Sequence, residues 1–133
     1  MQFKYLRDPL FFLCVALYIA NRICFRQCLP VEFLRSHLND VICIPLWVPI
    51  MLYLMRICRL RMDDAPPSPG EILIPLVLWS IIFEIWLPST CLFRGIAFAD
   101  HLDVLSYTCG ALAAGCFWGW YYRRHRQKLP LPE

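Results

Sequence analysis

Charge is scarce in this chain. Asp, Glu, Lys and Arg make up 17% of its residues and hydrophobic types 59%, whereas ordinary soluble domains are about half apolar. With a mean hydropathy of +0.52, this is the composition of a membrane protein. Several chemical signatures are missing too. The eight cysteines include no Cys-x-x-Cys pair, and most lie inside apolar runs, where a thiol behaves as a small hydrophobe. No His-Glu-x-x-His or comparable zinc signature occurs, and no serine or cysteine sits in a recognisable nucleophile motif. No catalytic residue, metal or cofactor is therefore assigned. No small-residue cleavage site follows the first apolar run, so Lys4 and Arg7 introduce an uncleaved span rather than a signal peptide. Repeats and low-complexity segments are lacking, and 133 residues leave no room for a soluble catalytic domain beside the apolar runs.

A membrane-spanning helix takes about 20 mostly apolar residues, so the length accommodates four spans in one domain. The apolar runs fall at about 9–25, 40–58, 71–87 and 100–122, which predicts an all-α, four-transmembrane-helix bundle. Pro9 suits the first turn of the first span. Residues 29–39 are mixed enough for a short helix lying in the interface, and Asn39 or Asp40 can cap the second span. Pro45 and Pro49 are expected to kink or loosen that span. The segment Met62-Asp-Asp-Ala-Pro-Pro-Ser-Pro-Gly70 is a turn, Pro75 falls early in the third span and Pro88 is expected to stop it.

An even number of spans places both termini on one face. That face collects Lys4, Arg7, Arg56, Arg59, Arg61, Arg123, Arg124, Arg126 and Lys128, against Arg22, Arg26, Arg35 and Arg94 on the other, nine to four. By the positive-inside rule both termini are cytoplasmic. Arginines beside apolar runs orient a protein in the bilayer, so the expected partners are membrane lipids and no nucleic acid. Cys24, Cys28 and Cys91 fall near the outer face and can pair if it is oxidising. Trp47, Trp86, Trp118, Trp120, Tyr121 and Tyr122 lie near span ends, where amphipathic rings favour the interface.

Drawn on that topology, most unusual polar residues collect in the outer half: His37, Asn39 and Asp40 at the start of span two, Glu84 near the end of span three, Asp100, His101 and Asp103 at the start of span four. Arg22, Arg26 and Arg94 come from the same face. An ionisable group inside a span is costly unless paired or wetted, and Glu84 is the one most in need of a partner, with Arg94 or Arg22 the candidates. His37 and Asp40, like Asp100 and Asp103, are spaced to share a helical face. The cluster reads either as a pocket holding a headgroup, an ion or a substrate, or as polar glue between helices. In span four, Ala111, Gly115 and Gly119 form a small-xxx-small row, and Gly110 lies on the face of Asp103 and Tyr107; such residues let helices approach closely in lipid.

The order Glu84, Arg94, Asp103, Gly110 resembles the carboxy-terminal half of the VanZ-like family of small bacterial integral membrane proteins. The family motif places a glutamate at the end of one span, an arginine in the next loop, and an aspartate followed by a glycine in the last span. The resemblance is strongest over Glu84 to Gly119. Tyr107 stands where the family usually has asparagine, and Leu87 where a glutamine often follows the glutamate. The resemblance implies a multi-pass protein of the bacterial cytoplasmic (inner) membrane, and founding members are associated with teicoplanin resistance. The expected function is binding of an anionic envelope component, such as a lipid headgroup or cell-wall precursor, by Glu84, Arg94 and Asp103 with His37, Asp40 and Arg22 in support. The alternative is a small accessory or structural subunit that meets other membrane protein subunits.

Overall fold

Asp8 starts the first helix. Its backbone is extended (φ −67°, ψ 137°), its carboxylate accepts from the amides of Leu10 and Phe11, and Pro9 follows at a position whose missing N–H costs nothing. In the computed structural model, which describes residues 2–25, 32–90 and 101–126, four helices account for nearly all of the structure, with no strand among the described residues. Helix α1 (Pro9–Ala20) runs on into a π-helical turn (Asn21–Phe25), so the first apolar run is helical along its length. Helix α2 is Glu32–Ile57. Helix α3 (Pro69–Ile81) continues through a π-helical turn (Ile82–Trp86) and one last turn (Leu87–Ser89). Helix α4 is His101–Arg126.

Two expectations change, the cap of the second span and the stop of the third. Asn39 and Asp40 are not caps: α2 starts at Glu32, so both lie inside the helix and point their polar groups sideways at neighbouring helices. Pro45 and Pro49 lie inside α2 without ending it; both are buried in the bundle, where packing on all sides opposes the lost hydrogen bonds. Pro88 sits within the final turn, and the chain turns extended at Thr90. The start of α3 is set by a complete capping box, in which Ser68 and Glu71 each satisfy the other's backbone amide.

The α2–α3 connection begins at Arg59, whose φ of 58° is left-handed. The amide of Leu60 bonds back to the Met55 carbonyl at 2.9 Å, the closure that usually employs glycine in Arg59's place.

Helix α2 is central, touching α1, α3 and α4, and its contact with α4 is the most extensive. Ile44, Val48 and Leu52 recur four apart on α2 and face Tyr107, Ala111, Ala114, Trp118 and Tyr122 on α4, with Phe3 closing the terminal end. Trp118 and Tyr122 are only 1% and 3% exposed, so these two rings belong to the core and not to an interfacial belt.

The periphery is apolar as well. Two helical segments, His37–Ile57 and Pro69–Trp86, are long and apolar enough to cross a membrane, while the apolar part of α1, Pro9–Ile23, is shorter. The apolar window of Pro69–Trp86 is only 6% buried in the protein, and Leu73, Ile74, Leu78, Ile81 and Ile85 are all exposed.

Candidate functional site

Helices α2 and α4 cross tightly at one point. A methyl group on Gly110 would collide with the Val41 carbonyl, so only a bare α-carbon permits this approach. One turn away, the crossing brings polar side chains together. On α2, His37 and Asp40 share a face at i, i+3; on α4, Asp103 and Tyr107 share one at i, i+4. His37 Nδ1 lies 3.2 Å from Asp103 Oδ1 and 3.8 Å from Asp40 Oδ2. One ligand atom from each of the three residues lies within 4.8 Å of the other two. The side chains are 12%, 23% and 27% exposed, so the centre is shielded and still reachable.

Tyr107 completes the centre. Its ring is buried, its phenol lies against Asp40, and Asp40, Asp103 and Glu84 are all within electrostatic reach of it. Two carboxylates this close repel each other unless a positive charge or a proton lies between them. Protonated His37 is one such charge. A metal ion is another: bonds of about 2.0–2.2 Å place tetrahedral ligands roughly 3.3–3.6 Å apart. The spacings from His37 therefore bracket that requirement. One nitrogen and two carboxylate oxygens suit a borderline divalent ion and leave coordination positions open. The sequence shows no contiguous metal motif because these ligands come from two helices, with 62 residues between Asp40 and Asp103.

The other sequence candidates are distributed differently. Glu84 is half-buried on the π-helical turn of α3, on the side of Tyr107. Arg22 does not join the centre: its side chain is exposed and forms no ion pair among the described residues. The reason lies in its neighbour Asn21, 1% exposed, which turns inward and donates to Asn39 at 2.9 Å, turning the next residue outward. Arg94, Asp100, Cys28, Cys91 and the side chains of Cys24 and His101 lie outside the described residues. The four small residues also separate: Gly110 and Ala111 face the bundle, whereas Gly119 has open space where a side chain would be.

Two further polar centres sit at the terminal end. Asp8, fully buried, accepts from Trp118 Nε1 at 3.0 Å and from Tyr122 Oη at 2.7 Å besides capping α1. The local signal for it is an Asp-Pro pair heading an apolar run. Arg61 is buried in the α2–α3 connection, where it meets Glu71 at 3.1 Å and Asp63 at 3.5 Å and donates to the Ala65 carbonyl. Arg56 pairs with Asp64 at 3.2 Å, and Asp64 also accepts from Tyr5 Oη at 2.6 Å. Burial, then the hydrogen bond to Asp64, pushes the Tyr5 phenol above its ordinary pKa. Arg56 and Arg61, two of the basic residues in the positive-inside count, are thus bound into the fold by acidic partners. The chain matches no known protein family, no curated protein and no solved structure.

Proposed function

We propose that this chain is a VanZ-like, four-span protein of a bacterial cytoplasmic membrane, with both termini cytoplasmic, whose His37–Asp40–Asp103 centre binds an anionic envelope component through a divalent cation. The observation that carries the reading is the convergence of His37 and Asp103, 66 positions apart, at 3.2 Å, with Asp40 beside them. A pair of carboxylates repels a phosphate or carboxylate ligand, and a cation between them reverses that sign. The ligand class is then a lipid headgroup or cell-wall precursor carrying phosphate.

The membrane part of the reading is supported by the two span-length apolar helices and by the large exposed apolar side chains on α1 and α3. In water such a surface would exceed the few hundred Å² of contiguous apolar patch that soluble monomers tolerate.

The test is binding of a short-chain phosphatidic acid to the purified protein in lipid nanodiscs, with Mn²⁺ or Zn²⁺ present and then removed by chelator. Wild type binds only with the metal, and Asp103→Asn and His37→Ala each weaken metal-dependent binding by about tenfold or more, as loss of one ligand does. Binding indifferent to chelator and to both substitutions refutes the reading. Co-migration of the protein with a stable larger complex after mild extraction supports the accessory-subunit alternative instead.

A further inference from the structure

Helix α4 presents its small residues to two different surroundings. Gly110 is pressed on α2, but Gly115 and Gly119 lie further along, where α4 faces α3. A methyl group on Gly119 would meet nothing within 4 Å, and one on Gly115 only the tip of Ile72 at 3.4 Å. These glycines therefore line a groove of about 430 Å³, walled by Ile72, Leu73, Leu76 and Leu112 and rimmed at one end by prolines of the α2–α3 connection. That volume lies within the roughly 300–1,000 Å³ of small-molecule sites. From Thr108 to Arg123 the groove follows roughly 22 Å of helix. Its walls are mostly apolar, and its charge is confined to the terminal end, where Arg123 lines it and Arg124 and Trp120 line its shallow continuation.

The arginines nearest the α2–α3 connection and those lining the groove differ in their pairing. Arg56 and Arg61 are paired with Asp64, Asp63 and Glu71. Arg123 and Arg124 are exposed and have no acidic partner among the described residues; Arg124 instead lies over the Trp120 ring at 5.4 Å.

We propose that this groove is a binding site for an anionic phospholipid of the leaflet on the terminal side, one acyl chain lying along Gly115 and Gly119 and the phosphate held by Arg123 and Arg124. Charge selects this occupant over a second copy of the chain. A two-fold parallel dimer through the glycine face would set Arg123 and Arg124 of each copy against their equivalents, whereas a phosphate neutralises them. The prolines at the rim carry no N–H to be satisfied, so an alkyl chain can pass them without desolvating a donor. The site is separate from the His37–Asp40–Asp103 centre and depends only on the chain lying in a bilayer, which resistance to alkaline extraction from membranes tests by itself.

The experiment is native mass spectrometry of the full chain, released from micelles containing equal amounts of palmitoyl-oleoyl phosphatidylglycerol and phosphatidylcholine. Phosphatidylglycerol is retained over phosphatidylcholine by about fivefold or more, the factor that one interfacial charge supplies. Replacing Arg123→Gln and Arg124→Gln together abolishes that preference, and Gly119→Leu, which plugs the groove at an unobstructed position, reduces retention of both lipids. All variants melt no lower than wild type, because the altered positions lie outside the core and a side chain at Gly119 favours the helix. Equal retention of the two lipids by wild type overturns the proposal, as does unchanged retention in Gly119→Leu. A change from dimer to monomer in Gly119→Leu also overturns it, by identifying a second copy as the occupant. Displacement of phosphatidylglycerol by millimolar inorganic phosphate does so too, by showing that the groove contributes nothing.

Discussion

Asp8 and Trp118, 110 positions apart, are joined by a 3.0 Å hydrogen bond from the indole nitrogen to a fully buried carboxylate. The same carboxylate takes the Tyr122 hydroxyl and caps α1, so one side chain ties the first helix to the end of the last. Removing it strands two buried donors, each costing about 1–3 kcal/mol, together with a cap.

Asp8→Ala is accordingly expected to destabilise the protein by about 2–4 kcal/mol, measured by denaturant unfolding in mixed micelles. Asp8→Asn, which keeps one acceptor oxygen, loses less. Trp118→Phe should lose about 1–2 kcal/mol, and its effect should shrink in the Asp8→Ala background because both changes remove the same bond. Full additivity would refute this link.

Gly110→Ala is expected to cost at least about 2 kcal/mol, because the new methyl cannot enter without separating α4 from α2 at Val41. It should also weaken metal-dependent ligand binding, since the same crossing holds Asp103 against His37. Gly119→Ala, at open space, is neutral or stabilising by up to about 1 kcal/mol. Equal losses at the two glycines in thermal melts would contradict the close crossing.

Arg61→Ala should destabilise by about 3 kcal/mol, leaving Glu71 without its buried partner. Arg61→Lys recovers only part of this, because a single ammonium cannot reach Glu71, Asp63 and the Ala65 carbonyl as the guanidinium fork does. Arg59→Ala, at an exposed side chain, has no comparable effect. Unfolding curves of the three variants decide the point.

Tyr5 supplies a pH dependence. Its phenol titrates above the usual value of about 10 in the folded protein, so the neutral form is favoured by folding. The stabilisation is fully present below about pH 10 and is lost as pH rises through the higher folded-state value. Melting temperatures between pH 8 and 11 should therefore fall less in Tyr5→Phe than in wild type; parallel curves would exclude the contribution.

Much of this architecture is legible locally. The residues of α1 can be read from Asp8-Pro9 and the apolar run, the start of α3 from Ser68 and Glu71, and the shared face of His37 and Asp40 from their spacing. Each depends on interactions within about one helical turn. Arg22 shows where such reading stops: it does lie at the end of the first helix, yet its direction follows from the contact of Asn21 with Asn39.

By itself, then, the sequence determined an all-helical chain, the approximate course of its helices apart from the start of α2, and which residues share each helical face. The tertiary structure alone decided that Asp103 meets His37, that Gly110 abuts Val41 while Gly119 opens on a groove, and that Arg61 is internal while Arg123 is not. Helical periodicity records the angle between residues on one helix. The rotation of each helix against its neighbours is set by packing across the whole bundle, and no local pattern carries it.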